Sequence, residues 1–211
     1  MPPLSLERIP VGAIGTICYL VSNAAGETVL IDPGAEPDKI LKRLQDKERT
    51  PVAILLTHGH YDHIEAIANI KEHYDIPVMG SREDEFLLEG SRQSVFVGRL
   101  VAPVLLDRVL LDGDVFELLD EHWRVIATPG HTPGSVTFIV GDWAFTGDTL
   151  FAHGSVGRTD LWGGSAVAIK ASITQKLFMT LPDSMIVYPG HGDSSTIGKE
   201  KASHLRYQIF G

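Results

Sequence analysis

Val52-Ala53-Ile54-Leu55-Leu56 is an apolar run of strand length, preceded by Pro51, and it ends in Thr57-His58-Gly59-His60-Tyr61-Asp62-His63. Three imidazoles and a carboxylate thus fall within six residues at one strand end. A fold for this chain has to carry that strand to a sheet edge where the loop's polar groups can converge. Neutral imidazole and carboxylate are the ligands that zinc, iron and manganese take. Surface histidines in a polar loop are the plainer explanation. Nine histidines spread over 211 residues seldom place three within six positions, however, so the metal reading leads.

The flanking sequence predicts strands over 13–22 and 27–31 as a hairpin, then a helix over 36–47 with Ile40, Leu41 and Leu44 on one face. Asp62 is expected to open a helix whose apolar face carries Ile64, Ile67 and Ala68. A short strand at 77–79 and a helix capped by Ser81 and running to Glu89 follow. Residues 90–107 show no period and read as loop. Strands are expected at 115–119, 122–128, 135–140, 143–146 and 185–188, with a helix over 165–180 that turns Ala166, Ile169, Ile173 and Leu177 inward, and a short helix after Thr196. No linker or charge block divides the chain, so residues 1–211 read as a single α/β domain, an αββα sandwich.

Loops that follow these strands supply three more candidate ligands: His131 in Thr128-Pro129-Gly130-His131, Asp148 in Gly147-Asp148-Thr149, and His191 in Pro189-Gly190-His191. Each sits beside glycine, which allows a sharp backbone turn toward a shared centre. With His58, His60, Asp62 and His63 they make seven N/O ligands. One four-coordinate ion cannot use seven. Two divalent ions about 3.5 Å apart, sharing a carboxylate, can. Zinc is the first expectation for both, with iron or manganese as alternatives.

Composition excludes other classes. The formal charge of -9 argues against nucleic acid, which binds through clustered Lys and Arg. No segment approaches the twenty apolar residues of a membrane span, and residues 1–8 do not read as a secretory signal. A single cysteine, Cys18, fits a reducing compartment, so the expected location is the cytoplasm. Its place in a predicted strand makes it a buried small residue rather than a nucleophile. The oligomeric state is left open.

The seven positions, in this order and setting, resemble the metallo-β-lactamase superfamily, and the resemblance spans nearly the whole chain. It implies that His58, His60 and His131 hold one metal, that Asp62, His63 and His191 hold the other, and that Asp148 bridges them. Within the superfamily the chain looks most like short bacterial members of the glyoxalase II group, through Gly147-Asp148-Thr149-Leu150-Phe151, Gly157-Arg158-Thr159-Asp160 and Pro189-Gly190-His191-Gly192. That group hydrolyses S-D-lactoylglutathione. The implied activity is thioester hydrolysis by a metal-activated hydroxide, with Asp62 and Asp148 as the catalytic carboxylates and a small-molecule thioester as partner. Three departures stand out. The C-terminal helical domain that helps full-length glyoxalase II hold glutathione is expected to be absent; Glu65 stands where glycine is usual; Cys18 stands where asparagine is common.

Two rival activities share much of this ligand set. Persulfide dioxygenases resemble glyoxalase II, carry a Gly-Arg-Thr-Asp stretch and use one iron, which by resemblance would take His58, His131 and Asp148. Lactone or β-lactam hydrolysis needs the same hydroxide. A metal-stabilised scaffold is disfavoured, because structural zinc sites are closed four-ligand cages rich in cysteine. Outside the ligand set, Asp32 is expected to hydrogen-bond the ligand histidines. Arg158 and Asp160 are expected to pair and fix their loop, and Phe151, Leu161 and Trp162 are candidates for pocket walls.

Overall fold

The computed structural model describes residues 4–207. They begin with strands β1 (Ser5–Val11), β2 (Thr16–Ser22) and β3 (Glu27–Ile31), helix α1 (Pro37–Asp46), strand β4 (Thr50–Leu55), and helices α2 (Tyr61–Ile64) and α3 (Ile67–His73). Strand β5 (Val78–Gly80), a 3₁₀ turn at Arg82–Asp84, helices α4 (Glu85–Leu88) and α5 (Ser91–Val97), and strand β6 (Arg108–Val109) complete the first half. The second half holds β7 (Val115–Leu118), β8 (Glu121–Ala127), β9 (Val136–Val140), β10 (Trp143–Gly147), α6 (Ala166–Ala171), β11 (Ile186–Pro189), β12 (Ser195–Thr196) and α7 (Ile197–Tyr207).

Each half builds one six-stranded sheet, ordered β1-β2-β3-β4-β5-β6 and β12-β11-β10-β9-β8-β7. Every residue of β2 is buried, because its alternating side chains enter two different cores. Cys18 and Leu20 pack outward with Ile40 and Leu44 of α1 and with Ile67 and Ile70 of α3. Ile17, Tyr19 and Val21 point inward and meet Phe116, Trp123, Phe138 and Phe145 of the other sheet. A third core joins Ile139, Ala144 and Val187 to Ile169, Ile173 and Leu177 on the far side. The result is helix, sheet, sheet, helix, the expected αββα sandwich. Trp123 lies fully buried between the sheets, with its indole N–H donated to the Leu118 carbonyl at 3.0 Å. Truncating such a residue to alanine costs about 3–5 kcal/mol.

Several expected boundaries shift, for local reasons. The first hairpin starts at Thr16 because Gly12–Gly15 forms a turn, and ahead of it lies the unforeseen strand β1, paired antiparallel with β2 from Ser5↔Ser22 to Val11↔Thr16. The helix expected from Asp62 breaks between α2 and α3, and Ala68 faces solvent, its place on the buried face taken by Ala66 and Ile70. Residues 90–107 are not all loop: α5 and its flanking turns occupy much of the stretch. Ser165 caps α6, accepting from the Ala168 N–H at 3.2 Å, but Ala166, expected inward, is exposed. The helix also continues as a π-helix over Ser172–Phe178. At ~100° per residue an α-helix would rotate Ile169, Ile173 and Leu177 off one face by ~40° per step, and the wider π turn offsets that drift.

Parallel pairing positions the loops that matter. Because β3 pairs parallel with β4, and β10 with β11, Asp32 and the histidine loop leave one sheet side by side, as Asp148 and His191 leave the other. The sheets are stitched together at this edge by Val136 N–H to the Thr57 carbonyl (2.8 Å) and Ile17 N–H to the Gly190 carbonyl (2.7 Å). Ligands bind at such carboxyl ends of strands in open α/β sheets.

Candidate metal centre

All seven sequence-derived candidates meet at this edge, and among them two clusters bring their ligand atoms within 4.8 Å of one another: His58, His60 and His131, and Asp62, His63 and His191; a third such group, Asp32, His58 and His63, takes one histidine from each. His60 Nδ1 and His131 Nε2 stand 2.8 Å apart. His63 Nε2 and His191 Nε2 lie 3.2 and 3.3 Å from Asp62 Oδ2. Asp148 stands between the clusters. Its Oδ1 is 3.5 Å from His63 Nε2, while its Oδ2 is 3.4 Å from His131 Nε2 and 3.5 Å from His191 Nε2. Gly190 makes room for this approach, since a Cβ there would fall 2.3 Å from Asp148 Oδ1.

Hydrogen bonds behind the clusters fix which nitrogen of each ring faces inward. Asp32, at the end of β3, accepts from the Thr57 N–H (2.8 Å) and hydroxyl (2.6 Å) and from His63 Nδ1 (2.9 Å). With its proton committed to Asp32, the Thr57 hydroxyl accepts from His58 Nδ1 at 3.1 Å. His131 Nδ1 donates to the Arg158 carbonyl at 2.8 Å. His58, His63 and His131 therefore turn Nε2 to the centre, with their other nitrogens occupied, as metal-bound imidazoles commonly require. Thr16 orients Asp62 through a 2.7 Å bond to Oδ2. His58 Nε2, His60 Nε2, His63 Nε2 and Asp148 Oδ1 are buried without a hydrogen-bond partner. Orphaned buried atoms of this kind, beside clusters whose ligand atoms lie within 4.8 Å of one another, fit divalent cations.

Electrostatics agree. Burial, reinforced by the neighbouring imidazoles, drives His58 well below the ordinary histidine range and His60 to about 3, so both rings stay neutral. His63 behaves oppositely: burial lowers it, but Asp62, Asp148 and Asp32 together hold it well above its ordinary value. His191 is likewise lowered by burial but raised, net, to about 9 by Asp148 and Asp62. Burial works to raise both carboxyls, yet the surrounding histidines hold Asp62 well below the carboxylate range and Asp148 below it. The second cluster thus attracts positive charge, which a divalent cation supplies better than a proton.

A cleft of about 270 Å³ opens onto His60, His131, Asp62, Asp148 and His191. Its walls include Ile14, Tyr61, Phe96, Phe151, Leu161 and Trp162, so the three expected wall residues are present. Arg158 lines it too, forked onto Asp160 at 2.7 and 2.8 Å. Glu65 is paired with Arg99, which neutralises the charge it brings near the site. Cys18 is fully buried, and burial pushes its thiol far above the ordinary range, which leaves it inert as a nucleophile.

A family model described as the metallo-β-lactamase superfamily matches residues 11–191. The chain belongs to that superfamily. Among its superfamily relatives, hydroxyacylglutathione hydrolase GloC of Haemophilus influenzae is 36% identical, over 95% of this chain and 97% of the relative. The crystal structure of BLEG-1 B3 metallo-β-lactamase superposes with a TM-score of 0.88 at 35% identity, covering 94% of this chain and 97% of that one. The crystal structure of TTHA1623 in a di-iron-bound form gives 0.83 at 39% identity, covering 93% and 98%. Among the described residues, no helix is long and apolar enough to cross a membrane.

Within this superfamily scaffold, sequence reasoning had passed over Thr16, Asp84 and Gln93, all buried and all hydrogen-bonded to site loops. Thr16 looked like one more strand residue. Asp84 lies between Glu83 and Glu85 in an acidic turn, and Gln93 lies in the stretch without period. No local signal separates them from surface polar residues.

Proposed function

We propose that this protein is a binuclear metal-dependent hydrolase of acyl thioesters, with S-D-lactoylglutathione as the first substrate to test. His58, His60 and His131 would hold one divalent ion, Asp62, His63 and His191 the other, and Asp148 both. The observation that carries the binuclear reading is Asp148, whose two oxygens reach both clusters within 3.5 Å. The thioester is supported by the likeness to GloC and by the cleft.

When bound, two such ions lower the pKa of water to about 7 and polarise an acyl oxygen. Asp62, held by Thr16, keeps one fixed orientation at the mouth of the second cluster. Ile14, Phe96, Phe151, Leu161 and Trp162 give the cleft an apolar wall against which an acyl group would pack. A leaving thiol with a pKa of about 8.5 departs as thiolate, so no side chain is required as general acid.

The likeness to BLEG-1 supports a second reading, hydrolysis of a β-lactam ring in the same cleft. One preparation decides between them: metal content by elemental analysis, then turnover of S-D-lactoylglutathione and of a chromogenic cephalosporin. Two divalent ions per chain with thioester turnover is the expected result. Two ions with cephalosporin turnover alone would select the lactamase. One iron per chain, with oxygen uptake on glutathione persulfide and no thioester turnover, would replace both by a dioxygenase.

A further inference from the structure

The helical segment between β5 and β6 carries two buried polar side chains, Asp84 (2% exposed) and Gln93 (0%), that neither the ligand set nor the cleft uses. Asp84 Oδ2 accepts from the Gly59 N–H at 2.8 Å and the Thr132 hydroxyl at 2.7 Å, and its Oδ1 accepts from the Gly134 N–H at 2.7 Å. Gly59 lies between His58 and His60, and Thr132 follows His131. One carboxylate therefore joins the loop after β4, in the first sheet, to the loop after β8, in the second. The approach is tight: a Cβ on Gly134 would stand 2.5 Å from the Asp84 carboxyl carbon.

Gln93 grips the same loop from α5. Its Nε2 donates to the Gly59 carbonyl at 2.8 Å and to the Leu87 carbonyl at 2.9 Å, while its Oε1 accepts from the Tyr61 N–H at 2.6 Å. The Gly59 carbonyl and the Tyr61 N–H belong to the two peptide groups that flank His60. A single carboxamide thus fixes both planes and with them the direction of the His60 side chain. His63, by contrast, is oriented by Asp32, and neither Asp84 nor Gln93 is bonded to Asp62, His63 or His191.

We infer that Asp84 and Gln93 are positioning residues for the first metal ion: they hold His60 and His131 at their 2.8 Å spacing, and so set the affinity of that site without setting the other. This rests on the reading that the seven side chains hold two ions. Outer partners that orient ligands cost about 10–100-fold in metal affinity or activity when changed.

The test uses Asp84→Asn, which turns one acceptor oxygen toward a backbone donor as an amide, and Gln93→Met, which keeps side-chain length and removes three bonds. Folding of each metal-free variant is checked by circular dichroism and thermal melting. Zinc binding is then measured by calorimetric titration, beside wild type and in a His191→Ala background that isolates the first site. The expected result is one site weakened about 10–100-fold in both variants, the other within about threefold, and an altered absorption band when cobalt fills the weakened site. Wild-type affinities and cobalt spectrum in folded variants would overturn the inference, and so would equal weakening of both sites. A lowered melting temperature with unchanged affinities would reduce the two residues to fold stabilisers. If Asp84→Asn fails to fold, Gln93→Met decides alone. A wild-type protein that binds no zinc would bring down the parent reading and this inference with it.

Discussion

His58, His60 and His131 are 3%, 4% and 3% exposed, whereas in the second cluster His63 is fully buried but the side chains of His191 and Asp62 keep 25% and 14% of their surface in solvent. The two clusters share Asp148, yet they are supported differently. The buried cluster draws on Thr57, the Arg158 carbonyl and the loops gripped by Asp84 and Gln93. The open cluster rests on Asp32 behind His63 and Thr16 behind Asp62, and His191 has only a 3.3 Å contact from Nδ1 to the Ile14 carbonyl. Burial demands partners, because an unpaired polar group away from water is costly. Asp62 and His191, the more exposed ligands, can do with fewer; they share the cleft with His60 and His131. On the two-ion reading proposed above, the contrast points to a retained ion beside an exchangeable one.

Asp148 is the place to break the contrast altogether, since its two oxygens reach histidines of both clusters. Asp148→Ala should lose both ions and lower thioester turnover by about 10³ or more, the scale of several kcal/mol of charge stabilisation. Metal analysis with steady-state kinetics reads both; normal turnover would remove the bridging role. Asp32→Asn strikes behind both clusters at once, through Thr57 and His63, and should cost about 10–100-fold in metal affinity at each, seen as two weakened steps in a zinc titration.

His191→Ala sharpens the contrast, because it should leave close to one ion per chain in the buried cluster; loss of both ions would mean that the clusters are not separable. Thr57→Val deletes a hydroxyl that relays between His58 and Asp32. A net hydrogen bond of about 1 kcal/mol corresponds to a roughly fivefold loss of affinity, confined to the buried cluster.

The smallest effect lies outside the site. Lys71 and the Val78 N–H both bond Asp107 Oδ2 at 2.8 Å and hold its carboxyl below the usual range. A folded value below the unfolded one gives stability that is complete above the unfolded value of about 3.9 and fades as pH falls through the folded value. With 46% of the Asp107 side chain exposed, screening limits the pair, so Asp107→Asn should cost at most about 1 kcal/mol at pH 7. Urea unfolding at pH 7 and at pH 3 should show that difference shrinking.

What could be read ahead of the structure depended on whether a residue's role left a mark in its neighbours. His58 to His63 announced themselves by density, and His131, Asp148 and His191 by their glycine-flanked loops after strands. The sandwich followed from the order of strands and helices. Strand β1 was missed because its apolar residues fall on both faces, Leu6 toward one core and Ile9 and Val11 toward another, which blurs the period-2 pattern. Helix α5 was missed because only Gln93 of its seven residues is buried, so no apolar stripe exists to be seen. Asp84 and Gln93 act through backbone groups of distant loops, at separations of 25 to 50 residues, and such partners leave no spacing to read.

The unequal pair of sites is tested most directly by stepwise metal removal. Protein loaded with two ions per chain is dialysed against increasing chelator, and metal content is followed with thioester turnover in the same aliquots. Release in two phases is expected, with a plateau at one ion per chain, activity lost in the first phase, and a His191→Ala sample that starts at the plateau. Loss of both ions in a single phase, or a wild-type protein that never holds more than one, would contradict it.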